Sequence, residues 1–217
     1  MLMFLKNLRS LCLAMFQGKI YWNINNHGKF NKIDKNAKVY GPSYIEHVIV
    51  GMGSYIAPNS TITYTEIGNF CSIGPNFFCG WGIHPLDGIS TSPIFYSTKK
   101  QAGFTFSKTD KIKERKLIEI GNDVFIGANV TVLDGIKIGD GAVIGAGSIV
   151  SKNIPPFAIA VGSPIRIIKY RFEEKIIKSL LEIKWWEDES LVQDVESYFY
   201  DIDGFIDKYN KKGINTL

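Results

Sequence analysis

The sequence lacks the features that mark disulfide-rich, membrane-spanning and strongly charged proteins. Its three cysteines are too few, and odd in number, for a disulfide framework, which predicts a reducing, cytoplasmic compartment. No segment approaches the ~18 consecutive apolar residues of a membrane span. A net charge of +4 is too small to indicate nucleic acid binding, so any anionic partner should be small.

What is present is the composition of an ordinary globular protein. Hydrophobic residues make up 45% of the 217 residues and charged residues 21%, which allows a packed core and argues against disorder. At this length we expect one domain with appendages. In the first appendage, residues 1–29, Leu5, Leu8 and Cys12 follow helical spacing. They predict a helix that docks on the body or on another subunit, with a helix on a membrane surface as the alternative.

A six-residue repeat dominates the second half of the sequence. Its aliphatic positions are Ile120, Ile126, Val132, Ile138, Ile144 and Val150. A less regular set precedes them at Ile33, Val39, Ile45, Ile56, Ile62, Ile67 and Ile73. Neither a helix nor a simple alternating strand explains this sustained spacing. The pattern predicts an all-β solenoid of short parallel strands, stacked coil on coil over a column of buried aliphatic side chains.

Two passages carry a resemblance to a known family. Residues 67–97 contain IGNFCSIG and GIHPLDG, and residues 121–172 contain GAGS and GSPIRIIKYR. Together with the repeats, these passages resemble the hexapeptide-repeat acyltransferases, in particular the xenobiotic acetyltransferases and related O-acetyltransferases of surface polysaccharides. The resemblance implies a left-handed parallel β-helix over residues 30–170, and a homotrimer whose active sites lie between subunits.

The repeat slips around Gly51, has one long break and stops before the C-terminus. Between about residues 84 and 116, turn-forming and aromatic residues replace the six-residue pattern. The resemblance implies that this segment is a loop extruded from the β-helix, which shapes the acceptor pocket. In residues 171–217 helical spacing returns and predicts a helical cap. We expect Trp185 and Trp186 to seal this cap against the end of the solenoid.

Among the three histidines, only His84 stands where the repeat breaks. The resemblance matches it to the catalytic histidine of the family. Acetyl transfer from a thioester to a hydroxyl needs a base that works near neutral pH, and imidazole suits this role without an acyl-enzyme. Asp87 would orient the ring or hold an acceptor hydroxyl, with an ordinary turn aspartate as the alternative. We assign His27 and His47 to surface or core roles.

Cysteine chemistry is the competing mechanism. Cys71 and Cys79 fall on inward positions of the repeat, which predicts small buried core residues rather than nucleophiles. The cysteines and histidines also lack the paired spacing of zinc ligands, so we expect no metal site.

The second passage contains the predicted site for the acyl donor. By resemblance, the outer groove of the last coils holds coenzyme A, with acetyl-CoA as co-substrate. Two alanines one coil apart would let the pantetheine arm approach the backbone, and nearby cations would contact the phosphates. Arg171 is a further candidate cation. The predicted donor-binding residues are Ala128, Ala146, Ser151, Lys152, Arg166 and Lys169.

The resemblance therefore implies an acetyl-CoA-dependent O-acetyltransferase acting on a sugar hydroxyl, in the biosynthesis of capsule, O-antigen or another surface polysaccharide. The acceptor is expected to be a small molecule or glycan with a free hydroxyl, and neither nucleic acid nor a membrane is indicated as a partner. Acetylation of an antibiotic hydroxyl, of the streptogramin or chloramphenicol type, is the alternative among enzymes. A catalytically silent β-helix scaffold is the alternative from another class.

Overall fold

The structure, a computed structural model, describes residues 25–27 and 30–210. The predicted N-terminal helix and Cys12 lie outside these residues. Short strands in the described part form one sheet of nine strands and one of seven. The strands are β1 (Asn25–His27), β2 (Lys32–Ile33), β3 (Lys38–Val39), β4 (Ser43–Val50), β5 (Tyr55–Ile56), β6 (Thr61–Ile67), β7 (Ser72–Ile73), β8 (Phe78–Cys79), β9 (Ile118–Ile120), β10 (Phe125–Ile126), β11 (Thr131–Val132), β12 (Lys137–Ile138), β13 (Val143–Ile144), β14 (Ile149–Val150), β15 (Ala158–Val161) and β16 (Arg166–Tyr170).

Each coil of the solenoid adds one short stretch of strand to each of three faces. In one coil β9 lies on face A, β10 on face B and β11 on face C, and β12, β13 and β14 repeat this order in the next coil. The longer strands β4 and β6 cross from face C to face A. Neighbouring coils pair in parallel and in register, so that Ile126 lies between Ile73 and Ile144. This stacking explains the repeat, because identical positions of successive coils share one column.

The core is the predicted column of inward side chains. All six aliphatic positions of the regular repeat are buried, with at most 3% of each residue exposed. The residues at the fifth place of each repeat, such as Val124, Val130 and Ala142, are buried beside them. A single coil could not cover these side chains, so burial depends on stacking. The solenoid prediction is confirmed.

The coils turn through single residues in the left-handed backbone conformation. Asn59, Asn76 and Asn129 have φ angles of 62°, 58° and 58° at successive corners between faces B and C. Asparagine tolerates this conformation better than most residues. At the corner between faces A and B, the bulky residues Phe70 and Phe157 adopt it instead, with φ of 59° and 56°. Their side chains provide apolar contacts for the C-terminal segment.

Within the described residues, three α-helices follow the last coil, α1 (Glu174–Ile183), α2 (Glu189–Ser197) and α3 (Ile202–Asn210), with a short 3-10 helix (Trp185–Glu187) between α1 and α2. Between α1 and α2, Trp186 is 2% exposed and its carbonyl accepts a hydrogen bond of 2.9 Å from Asn69 Nδ2. The rings of Trp185 and Phe70 lie 5.2 Å apart, and those of Trp186 and Phe157 lie 6.4 Å apart. No helix among residues 30–210 is long and apolar enough to cross a bilayer.

These contacts correct the predicted place of the helical cap. The two tryptophans do fix the helices to the solenoid, but along the corner between faces A and B rather than at its end. The corner aromatics offer an apolar surface across several coils. The last parallel strand of the seven-stranded sheet, β15, is covered instead by β16, which pairs with it in the antiparallel direction.

Candidate active site

The extruded loop, residues 80–117, leaves the solenoid after β8 and returns at β9. The coils continue beneath it, because β6 pairs directly with β9 and β8 pairs directly with β11. The loop therefore adds a structure to the side of the solenoid without interrupting the core. Its position agrees with the break in the repeat.

Asp134, in the coil below, holds the two ends of the loop together. Its Oδ2 accepts hydrogen bonds from the backbone N–H groups of Trp81 at 3.0 Å and Gly82 at 2.9 Å. Its Oδ1 accepts one from the N–H of Lys116 at 3.1 Å. His84 follows Gly82 by two residues, so its backbone starts from a fixed point. Sequence reasoning missed Asp134, which lies 52 residues from Gly82 along the chain.

The His84 ring is oriented through its Nδ1 atom. Nδ1 lies 2.9 Å from the carbonyl oxygen of Thr91 and 2.8 Å from the hydroxyl oxygen of Tyr96. A carbonyl can only accept, so this contact places the proton of the neutral ring on Nδ1 and leaves a lone pair on Nε2. Nε2 has no hydrogen-bond partner among residues 30–210, and the residue is exposed. The geometry suits a base that accepts a proton from a bound ligand.

Tyr96, with its phenol uncharged, supports the His84 ring. Its side chain is buried and meets His84 edge to face, with ring centroids 6.2 Å apart. Burial, followed by the negative charge of Glu114, raises the pKa of Tyr96 above its ordinary value. The phenol therefore stays protonated at neutral pH. The sequence marked Tyr96 only as one of several loop aromatics.

A cavity of about 350 Å³ opens beside His84, and charged groups line it. Within it, Glu114 forms an ion pair of 2.6 Å with Lys99 and accepts a 2.8 Å hydrogen bond from Gln101 Nε2. Burial raises the pKa of Glu114, but hydrogen bonds led by the one from Lys99 outweigh it and hold the pKa below its ordinary value. The lining residues are Trp81, Gly82, Ile83, His84, Pro93, Tyr96, Lys99, Gln101, Glu114 and Arg115.

Asp87 is exposed and makes no hydrogen bond to His84 within the described chain. It lines a neighbouring cavity of about 480 Å³ with residues such as Ser90 and Lys111. The contacts that orient the ring come from Thr91 and Tyr96 instead. A role for Asp87 in holding the acceptor stays a prediction.

The cysteines are core residues, as the repeat indicates. Cys71 and Cys79 are fully buried, and burial raises the pKa of each thiol to about 12. Cys71 donates a 3.0 Å hydrogen bond to the carbonyl of Gly121, and Cys79 lies 3.3 Å from the hydroxyl of Thr65. A thiolate nucleophile is therefore disfavoured at neutral pH. Among residues 30–210, no group of three or more His, Cys, Asp or Glu side chains could hold a metal ion.

Of the other two histidines, His47 does not line this cavity, and the side chain of His27 lies outside the described residues. His47 stacks between Phe30 and Tyr64, with ring centroids 4.8 and 4.7 Å away. The backbone of His27 belongs to β1, and its side chain lies outside the description.

The structure brings only some of the predicted donor-binding residues together. Ala128 and Ala146 occupy one corner, between faces B and C, where the N–H of Gly147 donates to the carbonyl of Ala128 at 2.9 Å. Arg166 reaches the same region, since it lies opposite Val161 in β15. Ala146 and Gly147 are exposed at this corner, and a Cβ at Gly147 would meet no atom within 4 Å, so the backbone there is accessible to a ligand.

The remaining predicted cations are distributed elsewhere. Ser151 and Lys152 lie beyond β14, at the corner between faces C and A, and Lys169 lies opposite Ile159 on face B. Arg171 forms a 2.8 Å ion pair with Asp123 and a 2.9 Å hydrogen bond to the carbonyl of Gly141. Arg171 is therefore a structural residue, and its predicted role as a phosphate ligand is not supported.

Comparison with known proteins identifies the family. The model of the bacterial transferase hexapeptide family (six repeats) matches residues 118–152. A chloramphenicol acetyltransferase from Klebsiella aerogenes is 39% identical over 151 residues, which cover 68% of this chain and 71% of that protein. The chain belongs to the hexapeptide-repeat acetyltransferases. A galactoside O-acetyltransferase from Escherichia coli is 30% identical over 163 residues, 70% of this chain and 77% of that protein.

A solved structure supports the fold of this acetyltransferase. An N-acyltransferase from Bacillus cereus matches with a TM-score of 0.57 at 21% identity, covering 75% of this chain and 85% of that one. The left-handed parallel β-helix, which the resemblance implied, is confirmed. The scaffold alternative, in contrast, loses its support, because the relatives are named enzymes.

Proposed function

We propose that this acetyltransferase transfers an acetyl group from acetyl-CoA to a sugar hydroxyl, with His84 as the general base. The observation that carries the proposal is the state of the His84 ring. Two oxygen atoms flank Nδ1, and Nε2 is unpartnered among residues 30–210. This arrangement leaves one basic nitrogen available to a hydroxyl group in the adjoining cavity.

The reaction is a direct transfer between two bound substrates. Nε2 of His84 removes the hydroxyl proton while the acceptor oxygen bonds to the thioester carbonyl carbon. The carbon–sulfur bond then breaks, and the ring returns the proton to the departing thiolate. During this cycle the carbonyl of Thr91 and the hydroxyl of Tyr96 stabilise the positive imidazolium.

The donor groove is the corner between faces B and C. Ala128 and Ala146 leave room for the pantetheine arm, and Arg166 contacts a phosphate. Lys152 and Ser151, at the next corner, contribute if the corners of adjacent subunits meet around one donor. This arrangement of subunits, as a homotrimer, is part of the proposal. So is a cytoplasmic location, because the cytoplasm supplies acetyl-CoA and keeps thiols such as those of the two described cysteines reduced.

The cavity favours a hydroxyl-rich acceptor. Its lining offers charged and amide groups as hydrogen-bond partners, and the half-exposed Trp81 provides a flat apolar surface for the face of a sugar ring. An acceptor in surface-polysaccharide biosynthesis fits these groups.

The second candidate acceptor is an antibiotic hydroxyl. The sequence identity of this chain favours it, because the identity is higher to the chloramphenicol acetyltransferase than to the galactoside O-acetyltransferase. The two candidates share the donor site and His84, and differ only in what occupies the cavity.

An acceptor panel tests the proposed function. Acetyl-CoA consumption is measured with sugars, glycan fragments, chloramphenicol and a streptogramin, and transfer to a sugar is expected. His84→Ala should lower turnover by ~100- to 10,000-fold, the range for loss of a positioned base. Added imidazole should restore part of the activity of His84→Ala.

The matched control is His47→Asn, because asparagine tolerates the left-handed backbone of residue 47, whose φ is 54°. It should retain wild-type turnover. Turnover of folded His84→Ala within about threefold of wild type would exclude the base role. Transfer to chloramphenicol alone would replace the sugar by the second candidate.

A further inference from the structure

Arg115 occupies a fixed position in the cavity that contains His84. Its Nη1 donates a 3.0 Å hydrogen bond to Thr63 Oγ1, and the buried Thr63 hydroxyl in turn donates to the carbonyl of Gly80 at 3.0 Å. The guanidinium also lies 5.5 Å from the ring centroid of Trp81 and 5.9 Å from that of Tyr64. The hydroxyl and two aromatic rings therefore restrict the side chain without neutralising its charge.

Among residues 30–210, no carboxylate forms an ion pair with Arg115. The acidic groups of this region have other partners. Glu114 is bound by Lys99, Asp134 by backbone N–H groups, and Glu46 by the hydroxyl of Tyr44 at 2.8 Å. The guanidinium thus keeps donor groups and a full positive charge beside the predicted acceptor site.

Arg171 shows how this chain treats an arginine of purely structural role. It also lies over two aromatic rings, those of Phe157 at 5.5 Å and Phe172 at 5.2 Å, but it is paired with Asp123 at 2.8 Å. Arg115 has the aromatic contacts without the acid. The guanidinium of Arg115 is therefore available to an anionic group of a ligand.

We infer that Arg115 binds a carboxylate of the acceptor, and that the preferred acceptor is an acidic sugar. The inference rests on the proposed function and narrows its substrate class. The planar fork of a guanidinium matches a carboxylate with two parallel hydrogen bonds. Trp81, 55% exposed, lies next to Arg115 and can stack on the sugar ring. Glu114 does not compete, because Lys99 already holds it.

The test uses two glycosides that differ only at one carbon. In p-nitrophenyl β-D-glucuronide C6 is a carboxylate, and in p-nitrophenyl β-D-glucoside it is a hydroxymethyl group. The dissociation constants of both are measured by ligand-detected NMR titration in the presence of coenzyme A, and acetyl transfer to both is measured separately. The proteins are the wild type, Arg115→Gln, Arg115→Lys and the control Lys113→Gln, which removes an exposed charge two residues away.

We expect wild type to bind the glucuronide about tenfold or more tightly than the glucoside, the usual value of a charge-assisted contact. Arg115→Gln should abolish this preference while binding of the glucoside changes less than about threefold. Arg115→Lys should keep part of the preference, since it retains the charge but not the fork. Lys113→Gln should behave as wild type.

Equal binding of the two glycosides by wild type, or no binding of either, overturns the inference. An unchanged preference in folded Arg115→Gln does the same. A glucuronide preference that depends on Arg115, found together with absence of acetyl transfer, would instead support the carboxylate site and contradict the proposed function. The binding and transfer measurements therefore separate the two failures.

Discussion

The basic nitrogen of His84 is selected by a main-chain atom. The carbonyl of Thr91 fixes the proton on Nδ1, and no side-chain substitution removes that carbonyl. The hydroxyl of Tyr96 at the same nitrogen can be removed without changing the shape of the side chain. The two contacts therefore have different experimental consequences, and Tyr96 acts as a positioning residue for the base.

Tyr96→Phe should lower kcat by about 10- to 150-fold, the effect of losing a hydrogen bond to the charged imidazolium. The KM for acetyl-CoA should not change, because the hydroxyl touches neither the donor groove nor its cations. Steady-state kinetics at several acetyl-CoA concentrations separates the two constants. An unchanged kcat, or an effect on KM alone, would remove Tyr96 from the support of the base.

The donor-binding cations make a second prediction for single residues. Lys152→Ala and Arg166→Ala should each raise the KM for acetyl-CoA about tenfold or more, with a smaller effect on kcat, because each loses a charge-assisted contact to a phosphate. Rising salt should weaken donor binding in the wild type. Lys178→Ala, an exposed lysine of α1, is the control. An unchanged donor KM in both variants would place the phosphates elsewhere.

At the scale of elements, the helices attach to the solenoid through corner residues that are unfavourable for the backbone alone. Phe70 and Phe157 adopt left-handed conformations that cost bulky residues energy, and each contacts an aromatic residue that follows α1. Packing against Trp185 and Trp186 offsets that cost. A substitution that removes this packing should therefore destabilise both the corner between faces A and B and the helices attached to it.

Trp186→Ala tests this coupling. Removing a fully buried tryptophan should lower the free energy of unfolding by about 3 to 5 kcal/mol. Amides of α1, α2 and α3 should lose protection from hydrogen exchange before those of the inner coils. Tyr200→Ala, which truncates an exposed aromatic of the same segment, should change stability by less than about 0.5 kcal/mol. Equal loss of protection from exchange in the helices and in the inner coils would show that the helices do not unfold separately from the solenoid.

At the scale of the whole molecule, the exposed apolar groups suggest association. Phe78 and Ile149 are partly exposed on face C, and Leu86 and Ile89 are exposed on the extruded loop. Contact between copies of the chain would cover such side chains. Association would also bring the donor-binding residues of one subunit next to the loop of another.

We expect a homotrimer in solution, with each active site between two subunits. Multi-angle light scattering should give three times the mass of the 24.3 kDa chain. Hybrid assemblies of His84→Ala and Arg166→Ala subunits, assayed at low acetyl-CoA concentration, should be more active than either variant because some sites then contain both native residues. A stable, active monomer would contradict this prediction.

The sequence by itself determined the solenoid, because inward positions of equal coils recur at fixed spacing and show in the aliphatic pattern. It also marked the interrupted segment and the position of His84 within it, whereas the extrusion of that segment as a loop and the catalytic role of His84 came from the resemblance. The donor-binding alanines and cations came from resemblance, as did the hand of the helix, because spacing alone carries no sign of chirality.

Only the tertiary structure decided how the site is supported. The contact of Tyr96 with His84 spans 12 residues of an irregular loop, and Arg115 reaches Thr63 across 52. Asp134 acts from another coil, and the helices lie on a side corner rather than at the end. Each of these contacts depends on where a segment that lacks the six-residue repeat, either the loop or the C-terminal helices, packs against the solenoid. The repeat specifies the positions within a coil, whereas these contacts are set by packing between segments far apart in the chain.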